Sequence, residues 1–212
     1  TLVRFPTYKV AMRKGLFWRY LEPNNRPGPF VQKDVRNFCM PMSFHTENRY
    51  LIRVYYYQNK ISLEAHHSLG NGNGGMYLLN TLTAQYLRLC GHTISCGYGV
   101  LDINCEPQKG ELEDAYLKYS NAKYKPPRPM EKAYLIHGTK EPLHTFNVIN
   151  GVMSAKQVKL VAEHYHATIT EYFNAVLLYS LMLKQKQEFH FNLWPIKLAM
   201  PINLRRFFPS ET

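Results

Sequence analysis

The feature that most constrains this chain is the segment His66-His67-Ser68-Leu69-Gly70-Asn71-Gly72-Asn73-Gly74-Gly75. Before it, Tyr50 to Tyr57 and Ile61 to His67 are rich in β-branched and aromatic residues, and Gln58-Asn59-Lys60 supplies a turn between them. After it, Met76 to Leu89 places apolar residues at 78/79, 82, 86 and 89, the helical spacing, with Gly91 as a C-terminal cap. The pattern predicts a hairpin whose second strand runs through a glycine loop directly into a helix. Only folds that lay a helix against a sheet accept such a unit.

The loop itself admits three readings. Gly70-x-Gly72-x-x-Gly75 formally satisfies the dinucleotide fingerprint. The acidic residue required about 20 positions further on is missing, however, and Thr93-Ile94-Ser95-Cys96-Gly97 is not a second buried strand. A phosphate-binding P-loop is weaker still, because no Gly-Lys-Ser/Thr follows. The third reading takes in the histidines. Neighbours on a strand point to opposite faces, so His66 and His67 cannot both address one cavity and serve a metal poorly. A lone histidine at the mouth of a turn, with Asn71 four residues beyond His67, suits a general base. An imidazole, with an ordinary pKa of about 6.5, is largely neutral near pH 7 and can accept a proton. On spacing alone, a hydrogen-bonded structural histidine explains the pattern better than a base.

Charge narrows the partners without choosing one. The formal charge is +11, with 11 Lys/Arg against 3 Asp/Glu in residues 1–60 and 15 against 12 in residues 61–212. Such a field concentrates anions, whether nucleic acid, a phosphorylated cofactor or an anionic surface. The basic residues are dispersed through apolar positions, and 16 Tyr and 11 Phe at helix and strand periods read as core, so nucleic-acid binding is not expected. Four cysteines, Cys39, Cys90, Cys96 and Cys105, lack a disulfide framework and any Cys-x-x-Cys spacing. Neither they nor His164-x-His166 suggests a metal site. A reduced, cytoplasmic setting is the expectation. No apolar run approaches the 18 or so residues of a membrane span, and no signal peptide is evident.

Elsewhere, Leu16 to Leu21 reads as a strand closed by the turn-rich Pro23 to Pro29, and Leu2 to Arg13 as the interior of an element. Lys123 to Met130 is basic and proline-rich, the best linker in the chain. Beyond it the pattern predicts a strand from Thr145 to Gly151 and two helices opened by the capping boxes Ser154-x-x-Gln157 and Thr168-x-x-Glu171. The second helix carries Phe173, Val176/Leu177 and Leu181 on one face, and a final strand covers Ile196 to Leu204, with Pro201 marking an edge or bulge. Strands and helices alternate, so the class is α/β. Thr1 and the Phe208 to Thr212 end both read as cuts in a longer sequence.

The segment His66-His67-Ser68-Leu69-Gly70-Asn71-Gly72 resembles the HHxxxDG motif of the CoA-dependent acyltransferase superfamily, which has the chloramphenicol acetyltransferase-like fold and includes peptide-synthetase condensation domains. The likeness is nearest to the bacterial alcohol acetyltransferase-like branch. Gly15-Leu16-Phe17-Trp18, Gly99-Val100-Leu101-Asp102-Ile103, Thr168 to Leu178 and Pro195 to Pro209 resemble it in the same order. The resemblance spans the chain and about the first half of a family member. It implies a two-lobed sandwich with a tunnel between the lobes: residues 1–125 as the N-terminal lobe, 126–142 as a linker, and 143–212 as the start of the second lobe. Acyl-CoA is the implied co-substrate and a small alcohol the acceptor, with no permanently bound cofactor. His67, the motif's second histidine, is the implied base, with His66, Asn71, Gly72 and Arg205 in support.

Two departures accompany the resemblance. Asn71 stands where the family has Asp, which pairs with an arginine matched here by Arg205 of Pro201-Ile202-Asn203-Leu204-Arg205. The family's Asp-Phe-Gly-type loop of the C-terminal half is not in this chain. Asn71 therefore leaves open a non-catalytic binding module, and a condensation-type enzyme on carrier-protein thioesters is a further alternative. An isolated lobe would expose its apolar inter-lobe face and self-associate to cover it.

Overall fold

The computed structural model describes residues 1–34, 40–42, 47–120, 132–143, 145, 147–189, 193–204 and 207–208. The chain divides into two compact units, one built mainly from residues 1–120 and one from residues 121–143 and 147–207. Both helices and strands are present, so the fold is mixed α and β. Among the described residues the strands belong to the first unit alone.

In that unit β1 (Val10–Lys14) and β2 (Arg19–Pro23) form an antiparallel pair. A three-stranded sheet has the order β3 (Val31–Lys33), β4 (Ile52–Tyr57), β5 (Lys60–Ala65), with β3 parallel and β5 antiparallel to β4. β4 is central, and its first four residues are buried, as expected of a strand covered on both faces. The β4–β5 connection is the two-residue turn Gln58-Asn59, Gln58 taking a left-handed φ of 49°. The expected strand at Leu16 to Leu21 begins only at Arg19. The Gly15 N–H bonds the Trp18 carbonyl at 2.7 Å, closing a turn over Leu16-Phe17-Trp18 instead.

The core joins Phe5 and Tyr8 from two short 3-10 turns at the N-terminus, Tyr50, Leu51 and Ile52 at the start of β4, Leu69 from the histidine turn, and Leu78 of helix α1 (Gly72–Leu89). The region after α1 folds back on that helix. The buried Thr81 hydroxyl accepts the Leu101 N–H at 3.0 Å. Gly99 takes a left-handed φ of 89°, which favours glycine, and a Cβ there would lie 2.9 Å from the Asn80 amide nitrogen. A short helix α2 (Ala115–Tyr119) follows.

In the second unit, α3 (Ala155–His164) and α4 (Ile169–Glu188) start where their caps predict. Ser154 accepts the Gln157 N–H, and Thr168 and Glu171 complete a reciprocal capping box. The expected strands at 145–151 and 196–204 form no ladder among the described residues. A strand exists only when a neighbour takes its backbone groups, and among the described residues no neighbour pairs with either segment. The chain just ahead of the second of these segments is held through α4 instead. The Gln185 amide, 1% exposed, bonds the Trp194 carbonyl at 3.0 Å and accepts the Trp194 N–H at 2.6 Å. Tyr134 donates its N–H to the Pro195 carbonyl at 2.9 Å and its hydroxyl to Glu188 at 2.5 Å. On α4, Phe173, Val176 and Leu177 lie partly exposed. The linker expected at 126–142 falls partly on residues 121–131, which lie outside the described residues. Among those described, no helix is long and apolar enough to cross a membrane.

One ion pair ties the N-terminus of the first unit to the loop before α2. The buried Arg4 guanidinium grips Glu111 with two bonds, at 2.5 and 2.8 Å. The hydrogen bond from Arg4 holds the Glu111 carboxyl below its ordinary value. A depressed carboxyl contributes stability in full above the unfolded pKa of about 4.3 and loses it as the pH falls through the folded value. Glu111→Gln should therefore cost about 2 kcal/mol near neutral pH and progressively less below pH about 4. Urea denaturation across pH 7 to 3 measures this; an unchanged gap at pH 3 would contradict the linkage.

Candidate functional site

β5 stops at Ala65, one residue short of the histidines, and so His66 and His67 are not strand neighbours as their position predicts. The cause is local. The His66 N–H makes a last ladder-like bond to the Leu51 carbonyl at 2.9 Å, and its ring then turns forward. Nδ1 accepts the Ser68 N–H at 3.3 Å and lies 2.8 Å from the Ser68 hydroxyl. A side chain that caps its own backbone this way competes with the sheet and starts a 3-10 turn, His67–Leu69. An N–H can only donate, so Nδ1 is the acceptor and the proton of the neutral ring sits on Nε2. Leu69 drops into the core and anchors the turn from below.

His67 opens the turn and is exposed. Among the described residues no side chain hydrogen-bonds its ring. The two histidines thus differ: the His66 ring holds the turn, while His67 is exposed.

Asn71 is the N-cap of α1. Its Oδ1 accepts the N–H groups of Asn73 at 3.1 Å and Gly74 at 3.2 Å, and its carbonyl accepts that of Gly75 at 3.1 Å. A P-loop offers such amides to a phosphate; here three of them are already taken, which weighs against the phosphate reading. Gly72 opens the helix with room for a Cβ, as does Gly75. Close approach occurs at Gly70 and Gly74 instead. A Cβ there would stand 3.3 Å and 3.0 Å from the hydroxyl of Tyr8, a residue 3% exposed. Burial pushes the Tyr8 phenol up, so it stays a neutral O–H beneath the loop. The spacing of two glycines four apart signals that something approaches the loop, but nothing in the sequence names a tyrosine more than sixty residues upstream. Arg205, the expected partner of Asn71, lies outside the described residues.

The second unit holds a cavity of about 590 Å³ lined by Lys132, Tyr134, Leu135, His137, Phe189 and Trp194. Burial and the bond to Glu188 push the Tyr134 hydroxyl up to about 12. Comparison of the chain with protein-family models, with curated proteins and with solved structures returns no match.

Two substitutions test this local construction. Gly74→Ala should destabilise the wild-type chain, because buried Tyr8 cannot withdraw, and should stabilise a Tyr8→Phe chain by up to about 1 kcal/mol through helix propensity. A double-mutant cycle in urea reads the coupling, and simple additivity would sink the contact. Asn71→Ala should cost about 1 kcal/mol, while Asn71→Asp, which keeps the acceptor and adds a charge favourable at a helix N-terminus, should match or exceed the wild type. A lower melting temperature for Asn71→Asp would contradict the capping role.

Proposed function

We propose that this chain is part of an acyl-CoA-dependent O-acyltransferase, acting with acetyl-CoA and an alcohol, in which His67 is the general base. The observation that carries the reading is the position of His67: it opens a short turn between a strand and a capped helix, with its ring exposed and its neighbour His66 engaged in holding the turn. The same residues resemble the superfamily's motif, and four further segments resemble it in the same order. The two-lobed architecture, with the first unit as the lobe that bears the motif, belongs to the same proposal.

In the reaction, the acceptor hydroxyl hydrogen-bonds His67 and gives up its proton as its oxygen attacks the thioester carbonyl. The tetrahedral intermediate collapses to the ester, and the proton leaves with the CoA thiolate as a thiol. No acyl-enzyme is required. General-base assistance of this kind contributes about 10²- to 10⁴-fold.

The test is thiol release from acetyl-CoA with a panel of alcohols, using the full-length gene product and its His67→Ala variant. The expected result is turnover in the first that falls by at least about 10²-fold in the second, with unchanged folding by circular dichroism. Full activity in the variant would remove His67 from the mechanism. No release from the folded protein with any donor would favour a non-catalytic binding module, and release from a carrier-protein thioester alone would favour a condensation-type enzyme.

A further inference from the structure

Where α4 ends, the second unit spends buried polar groups on holding aromatic residues that it does not bury. Gln185 is 1% exposed and gives both bonds of its amide to the backbone of Trp194, yet Trp194 itself stays 49% exposed. Tyr134 is held through its N–H to Pro195 and its hydroxyl to Glu188, so its ring remains for a further contact. Phe189, the C-cap of α4, meets Tyr134 edge to face at 6.4 Å between ring centroids and His137 at 6.0 Å. These rings, with Leu135 and Lys132, line the cavity of about 590 Å³. Small-molecule sites span roughly 300–1,000 Å³, and walls fixed before the ligand arrives lower the ordering cost of binding.

Charge selects among flat ligands. No carboxylate lines the cavity among the described residues, and Glu188, which accepts the Tyr134 hydroxyl, is already paired with Lys184 at 2.7 Å. The Lys132 ammonium, which does line it, has no hydrogen-bond or ion-pair partner among the described residues. We propose that this cavity binds a flat aromatic carboxylate, its ring system against Trp194 and Phe189 and its carboxylate on Lys132. Aromatic walls take a ring offset-stacked or edge to face, and an exposed ammonium adds a screened ion pair. A neutral aromatic would leave Lys132 unused, and a saturated acid would lose the ring contacts. The site lies wholly within the second unit and stands independently of the acyl-transfer reading.

Isothermal titration calorimetry of the whole chain with 2-naphthoate reads the binding, with 2-naphthylmethanol as the neutral counterpart and cyclohexanecarboxylate as the non-aromatic acid. The expected result is saturable binding of one naphthoate per chain. It should be about threefold tighter than that of the alcohol and about tenfold tighter than that of cyclohexanecarboxylate. Lys132→Gln should weaken naphthoate by about threefold and leave the alcohol unchanged, so that the two then bind alike. Trp194→Leu keeps the backbone groups that Gln185 bonds and should weaken both aromatic ligands by about tenfold, with circular dichroism unchanged. Should that variant unfold, Lys132→Gln decides alone, since Lys132 is exposed and its replacement disturbs no core. Absence of naphthoate binding at millimolar concentration would overturn the inference, as would naphthoate binding that Lys132→Gln leaves unaltered. Equal affinity for naphthoate and either of the other two ligands would overturn it as well.

Discussion

The first unit depends on a tyrosine lodged beneath a glycine loop. Tyr8 belongs to the core, with Phe5, Tyr50, Leu51, Ile52, Leu69 and Leu78, yet its hydroxyl ends against Gly70 and Gly74. Phe5 and Tyr8 meet edge to face, and Leu69, from within the histidine turn, enters the same cluster. One packing event therefore fixes the N-terminal turns, the end of β5 and the start of α1. The height of the histidine turn above the core is set by a phenol ring, and glycine at positions 70 and 74 is what lets the ring come that close. A core residue distant in sequence thus controls where His67 stands, without touching it.

The second unit is organised by polar anchors where the first uses apolar packing. Gln185 is buried because its amide satisfies both backbone groups of Trp194, the arrangement that lets a polar side chain leave water at little net cost. Tyr134 is pinned at two atoms, and Glu188, which accepts its hydroxyl, also pairs with Lys184 one helical turn back at 2.7 Å. The bond from Lys184, followed by that from Tyr134, holds the Glu188 carboxyl below its usual range. These bonds fix Trp194 and Tyr134 beside the end of α4 without creating strands.

What the sequence made legible follows the range of the interactions involved. Helix starts are local: Thr168 and Glu171, or Ser154 and Gln157, carry their caps within four residues, and both helices begin where those residues say. The hairpin of β4 and β5 was also legible, because its strands pair across a two-residue turn. The end of β5 was not, since a histidine ring that bonds its own backbone two residues on has no composition signature. The start of α1 at Gly72 was hidden for another reason: Gly72, Gly74 and Gly75 oppose helix by propensity, and the Asn71 cap overrides them. At 145–151 and 196–204, β-branched and aliphatic residues suggested strands, but strand formation is a property of pairs, and among the described residues neither segment has one. The candidate site was legible as residue types and not as roles: the order of His66 and His67 is given, whereas which ring is held by Ser68 emerges only from the turn.

The charge of the first sixty residues has to be read the same way, after the structure has used part of it. Arg4 is spent on Glu111, and Arg53, also buried, on the carbonyls of Met40 and Pro41 at 2.9 and 3.1 Å, with Glu64 at 3.5 Å. Arg13 bonds Glu22, and Lys60 lies 2.5 Å from Asp34. Cations so engaged stabilise loops and strand ends and add little to the field felt by an approaching anion, because each is neutralised within a few ångströms. Net charge is a statement about the whole surface, whereas attraction depends on where cations stand with no carboxylate near them on their own element.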